Sequence, residues 1–339
     1  MAEAVALIAA FAALAYALLG GADFGGGVWD LFASGTRKEE QRTAIAQAMG
    51  PVWEANHVWL IFLIVILFTA FPPVYSTLST ALFIPFHLVL LGIVLRGAAF
   101  VFRAYGARAG TSITATERGW GVVFGVSSTI TPFLLGACMG AVASGSIRLV
   151  DGRIETTGVV WLTPLSLLTG TIALALCAYL AAVYLTIETQ GALQSDFSGR
   201  AILAGTVTVA LSVLALPLLR ADAPHMWRGL LSVHAWPILG VGVIAALLAG
   251  WWLLHRRFRL ARIAAIIQIA MLLGGWFAAQ YPYVVFPDLD LKNAAAPPAT
   301  LRFFLFALPV GMALLGPSLY LLFKVFKSER AASNSTPAS

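Results

Sequence analysis

The chain has 339 residues, of which 60% are apolar and only 11% charged, and its mean hydropathy is +0.89. Soluble chains carry roughly 25% charged residues, so this composition excludes an ordinary soluble domain and describes a polytopic helical membrane protein. The net charge of +6 does not point to nucleic acid, because the cations sit in short loops between apolar runs and not in a basic stretch interleaved with aromatics.

Apolar stretches of about twenty residues, the length that crosses a bilayer core, recur at about 4–30, 52–71, 75–102, 119–146, 159–187, 200–219, 230–254, 261–281 and 302–325. The chain therefore reads as one membrane domain over 1–339, with spans 1–4 over about 4–146, spans 5–8 over about 159–281, a ninth over 302–325 and a flexible tail over 327–339. The first run has no basic leader segment or cleavage signal and is expected to remain as a span.

That run ends in Gly20-Gly21-Ala22-Asp23-Phe24-Gly25-Gly26-Gly27. Gly21 and Gly25 make a small-xxx-small face for close helix packing. An acid at membrane depth costs at least ~2.5 kcal/mol and calls for a partner, a water path or a task. Asp23 is read either in that way or as a cap near the helix end.

The second run opens with Gly50-Pro51-Val52-Trp53-Glu54-Ala55-Asn56-His57-Val58-Trp59-Leu60. On a helix Glu54 and His57 are neighbours at i,i+3, Trp53 and His57 at i,i+4, and Asn56 and Trp59 complete the motif. A carboxylate beside an imidazole suits a proton relay. An interfacial aromatic belt with an acid at a helix N-terminus explains the same residues, and both readings stand at this point.

In the third run Arg96 lies too deep to snorkel, whereas Arg103, seven residues on and on nearly the same face, lies at the end. Arg96 is expected to meet Glu54 or Asp23. Farther along, His87, His225, His234 and His255 are scattered and do not form a set of axial ligands. Cys138 and Cys177 read as small buried hydrophobes. No zinc spacing, phosphate loop or nucleophile elbow occurs, so no metal or cofactor is assigned to this chain. Asp151 with Glu155, and Asp288 with Asp290, read as solvated loop charges.

The basic residues set an orientation. Alternate loops hold 14 cations (Arg37, Lys38, Arg42, Arg103, Arg108, Arg118, Arg200, Arg256, Arg257, Arg259, Arg262, Lys324, Lys327, Arg330) against 6 (Arg148, Arg153, Arg220, Arg228, Lys292, Arg302). The positive-inside rule places the N-terminus outside and the C-terminus in the cytoplasm.

The Asp23 and Glu54 motifs, with Leu95-Arg96-Gly97-Ala98-Ala99-Phe100 and the late segment from Tyr281-Pro282-Tyr283 to Ala294-Ala295-Ala296-Pro297, resemble subunit II of the cytochrome bd quinol oxidases over essentially the whole chain. The resemblance implies nine spans as two four-helix bundles plus a peripheral helix, in a bacterial cytoplasmic membrane. It implies a partner, subunit I, that carries haem b and haem d, and quinol oxidation coupled to oxygen reduction. Subunit II is implied to be haem-free, to support assembly and to line a proton route from the cytoplasm in which Glu54 takes part. A small single-helix subunit, lipids and a structural quinone are left open as further companions. The chain departs from the family at Val101 and Asn293, where many relatives carry acids. Rival readings are a proton-coupled secondary transporter built on Asp23, Glu54 and Arg96, and a quinone-binding anchor of another respiratory complex. Polar groups crowd the first three spans and no inverted repeat is visible, which weighs against the transporter.

Overall fold

The computed structural model describes residues 1–49, 53–108 and 115–333. Twelve α-helices account for most of them: α1 (Ala2–Leu31), α2 (Lys38–Met49), α3 (Trp53–Ala70), α4 (Pro72–Ala81), α5 (Phe83–Arg108), α6 (Ala115–Ser144), α7 (Pro164–Glu188), α8 (Gly191–Asp222), α9 (Pro224–Leu230), α10 (Ala235–Leu254), α11 (Phe258–Gln280) and α12 (Pro298–Ser333). Two small antiparallel ribbons, β1 (Ile147–Val150) with β2 (Arg153–Thr156) and β3 (Tyr283–Val285) with β4 (Leu289–Asp290), sit in the connections.

Among the described residues eight helices are long and apolar enough to cross a membrane; α3 from Asn56 and α4, bent by 118°, pass that test together as a ninth. The run expected at 75–102 is thus corrected to two helices. Pro72 and Pro73 lack the amide hydrogens a continuing helix needs, so they end α3 and occupy the first turn of α4. The last helix also continues past 325 to Ser333, through part of the stretch expected to be a loose tail.

Helix α1 packs on α3, α6 and α7, while α5 packs on α6. The pairs α7–α8 and α10–α11 follow, and α11 touches α7. Helix α12 leans on α3, with Phe62 stacked on Phe304 at 6.5 Å, and leaves Phe303 and Phe306 largely exposed. Polar α2, outside the predicted spans, packs Ile45 and Ala48 against Leu185 and Phe197.

The glycines of α1 make its central position feasible. A Cβ at Gly25 would overlap the carbonyl of Cys177 on α7, and one at Gly27 would overlap Ser128 on α6. Backbone-to-backbone approach gives dispersion contacts that larger residues would prevent, which drives helix association where lipid removes the hydrophobic difference. Gly25→Ala is expected to cost about 1–3 kcal/mol as an overpacked contact, whereas Gly250→Ala, with nothing within 4 Å of the new methyl, should be neutral or better. Thermal unfolding of the two purified variants checks the contrast.

The connections at the opposite end from α2 are tied by charge. Asp151-Gly152, both at positive φ, make the two-residue turn between β1 and β2. Arg148 donates to both carboxylate oxygens of Asp288, at 2.8 and 3.1 Å, and the Leu149 N–H donates at 2.7 Å. The reading of Asp288 as a solvated charge is therefore corrected: it staples two distant connections. Asp290 accepts from the N–H groups of Lys292 and Asn293, and Asn293 donates to the Asp288 carbonyl.

Hydrogen bonding from Arg148, aided by Leu149, holds the Asp288 carboxyl below its ordinary range despite partial burial. A depressed carboxylate contributes stability above its unfolded value and loses it as pH falls through the folded one. Protease cleavage in the β1–β2 ribbon should therefore rise on acidification, and Asp288→Asn should raise it at neutral pH and flatten the acid response. The free-energy change should stay near 0.2–1 kcal/mol, as for other solvent-accessible pairs.

Candidate functional site: an ion-pair ladder inside the helices

Asp23 and Asp30 lie seven residues apart on α1, as do Arg96 and Arg103 on α5. The helices are parallel, so equal spacing keeps the two pairs in register, roughly 10 Å apart along the axis. Arg96 Nη2 donates to Asp23 Oδ1 at 2.7 Å and to the Asp23 carbonyl at 3.1 Å. Arg103 meets both oxygens of Asp30 at 3.0 and 3.3 Å. The inner pair is shut away, with side chains 2% and 3% exposed, whereas Arg103 of the outer pair keeps 27%.

Helix α6 supplies the floor. Ser128 accepts from Arg96 Nε at 2.9 Å, and Phe124, one turn earlier, has a guanidinium at 4.9 Å (Arg96) and another at 5.5 Å (Arg103). Phe24 adds a second ring at 5.1 Å from Arg96. Aromatic faces can hold a desolvated guanidinium where no further carboxylate is present. The missing side chain at Gly27 gives Ser128 its place beside the ladder.

Of the two acids expected to meet Arg96, Asp23 does so. It is not a terminal cap, since α1 continues eight residues beyond it. Its Oδ2 is buried and meets no hydrogen-bond donor among the described residues. His57 enters from α3, its ring 6.1 Å from Tyr16 and 6.0 Å from Phe24 on α1, within electrostatic reach of Arg96 and Asp23. Asn56 is buried beside it in sequence, and Trp59 makes an edge contact with Phe11 at 5.7 Å. The side chains of Trp53 and Glu54 lie outside the described residues, although both begin α3. Val101 is 40% exposed on α5.

Asp30, Phe124 and Ser128 are additions to the residues expected from the sequence. Asp30 was detectable: its distance from Asp23 repeats that between the two arginines. The contributions of α6 carry no such sign.

The other histidines make separate local contacts. His87 and His255 use Nδ1 on the carbonyls of Phe83 and Trp251, and His225 stacks on Phe286 at 4.2 Å. Among the described residues no group of three or more His, Cys, Asp or Glu could hold a metal ion.

A parallel helix pair cross-linked by two ion pairs, the inner one fully buried, within a bundle of apolar helices, defines an integral membrane protein with charge held inside its helices. Residues 1–326 match the model of the family described as cytochrome bd terminal oxidase subunit II, and the chain belongs to that family. It is 30% identical over 287 residues to the cytochrome bd ubiquinol oxidase subunit 2 of Bacillus subtilis, covering 82% of this chain and 81% of that protein. It is 24% identical over 330 residues to a putative cytochrome bd menaquinol oxidase subunit II of the same organism, covering 93% and 92%. Its fold matches the bd oxidase structure from Geobacillus thermodenitrificans with a TM-score of 0.80 at 23% identity, over 96% of this chain and 98% of that one.

Removing one side of a buried pair strands the other charge, at about 3–5 kcal/mol. Arg96→Met and Asp23→Leu should each lower the unfolding midpoint steeply, and the double variant should recover most of the loss. Additive losses in that double-mutant cycle would contradict the coupling drawn here.

Proposed function

We propose that this chain is the haem-free subunit of a bd-type quinol:oxygen oxidoreductase, and that it conducts protons from the cytoplasmic side toward the oxygen-reducing centre of its partner. In this reading nine spans form two four-helix bundles and a peripheral helix, with the N-terminus outside and the C-terminus in the cytoplasm. Subunit I holds haem b and haem d, takes electrons from quinol and joins four of them with four protons to turn oxygen into two waters. The described histidines do not fit a haem, since each is taken up by a neighbouring carbonyl or ring or lies on a different helix end. No electron step is assigned to them.

The observation that carries the proton reading is the ladder. Its outer rung, Arg103–Asp30, remains partly open to solvent, and its inner rung leaves an unused acceptor, Asp23 Oδ2, in the interior. A water can dock on that oxygen and pass a proton along α1 toward His57 and the first turn of α3, which carries Glu54. Arg96 pairs with the other carboxylate oxygen of Asp23, and Glu54 with His57 serves as the carrier. The apolar groove between α1, α3 and α12, lined by Leu7, Phe11, Trp59, Phe62, Leu308 and Met312, offers one side-chain donor, the Trp59 indole. It suits an isoprenoid tail or a lipid chain better than a quinone head.

Glu54→Gln should slow quinol oxidation by about 10²-fold, at the lower end of what a positioned proton carrier contributes, with the haem spectrum of the complex unchanged. Full turnover would remove the relay; lost haem would assign Glu54 to assembly.

A further inference from the structure

A cleft of about 290 Å3 lies where the α1–α2 turn meets the first turns of α8, lined by Ser34, Gly35, Thr36, Arg37, Gln41, Asp196 and Arg200. Its charges do not cancel. Arg37 grips both oxygens of Asp196 at 3.0 and 2.6 Å, and Gln41 donates to the same carboxylate at 3.1 Å. Asp196 is thereby satisfied, and Arg200 is left with a neutral acceptor, Gln41 Oε1 at 2.7 Å. The Arg200 guanidinium is held between Trp29 at 5.1 Å and Phe197 at 5.3 Å, and its Nη1 meets no acceptor among the described residues. A rigid cation with an unpartnered donor, whose neighbouring carboxylate Asp196 is already engaged by Arg37 and Gln41, favours an oxyanion, which planar guanidinium matches well.

The depth of the cleft identifies which oxyanion. Helix α8 has 32 residues, and the 22 that follow Arg200 suffice for the bilayer core. Arg200 therefore stands at headgroup level, with the earlier turns outside the hydrocarbon. Leu203, Val207 and Leu214 follow on the same face at i+3, i+7 and i+14, exposed by 60%, 40% and 57%. A positive cleft that continues into an apolar strip fits an amphiphile end to end. Basic pockets between membrane helices collect anionic headgroups for this reason.

We propose that this cleft is a specific site for an anionic phospholipid, with the phosphate on Arg200 and an acyl chain along Leu203, Val207 and Leu214. Free phosphate shares the headgroup chemistry but has nothing to place on the strip. A carboxylate from a partner chain is the other occupant, and it would leave no lipid dependence.

The test uses the complex that purifies with this chain, stripped of lipid in detergent and titrated with phosphatidylglycerol, phosphatidylcholine or inorganic phosphate under native mass spectrometry. Phosphatidylglycerol should bind at least threefold more tightly than phosphatidylcholine and far more tightly than phosphate. Arg200→Gln should weaken phosphatidylglycerol at least fivefold, while Arg220→Gln, at the far end of the same helix, leaves it unchanged. Leu203→Gln, exposed and outside the ion network, should weaken the lipid but not phosphate, and it serves if Arg200→Gln fails to assemble. Equal lipid binding by Arg200→Gln or by Leu203→Gln, phosphate binding as tight as the lipid, or no selective lipid binding at all would each overturn the assignment.

Discussion

Two guanidiniums held inside a helical bundle set the terms for the rest of this structure. Charge at that depth persists only where each cation has a carboxylate in reach and its remaining donors find oxygen or a ring face. Arg96 meets all of these conditions at once, through Asp23, Ser128, Phe24 and Phe124. Every other demand follows from it. Helix α6 must come close enough for Ser128 to reach in, and α1 must keep its acids facing α5.

The glycine run of α1 meets those demands. Had Gly27 carried a side chain, Ser128 would be displaced from Arg96; had Gly25 carried one, α7 would be pushed outward. The same segment therefore does two jobs on two faces. One face clamps the second half of the chain through Cys177 and Ala181, and the other positions the ladder. Packing and charge placement are coupled along three turns of one helix, which explains why five glycines sit within eight residues of an acid-bearing span.

Much of this was legible in the residues, for identifiable reasons. Hydropathy located the spans because lipid forces each to be long and internally hydrogen-bonded. Depth marked Arg96 as needing an acid. The α3–α4 break was harder, because Pro72-Pro73 looks the same in sequence whether it ends a loop or bends a helix pair. Helix α2 was invisible to a search for apolar runs, being polar with a narrow buried edge at Ile45 and Ala48. The Arg148–Asp288 staple joins positions 140 residues apart, and no local pattern could announce it. Phe124 and Ser128 are ordinary residues on an ordinary helix; only the three-dimensional meeting with two arginines gives them a role.

The distribution of polar groups also bears on how the two halves differ. The two ion pairs of the ladder belong to α1 and α5, with Ser128 from α6 and His57 from α3 alongside, whereas α8 and α11 carry their charges toward their ends and α10 carries none. A transporter that alternates between two facing halves needs a site shared by both at mid-membrane. Here one half holds the internal charges and the other contributes the Cys177 backbone and small side chains that press against α1. Internal charges gathered on α1 and α5 do not supply such a shared site. The asymmetry thus favours the oxidase subunit over its transporter rival on structural grounds, apart from any likeness in sequence.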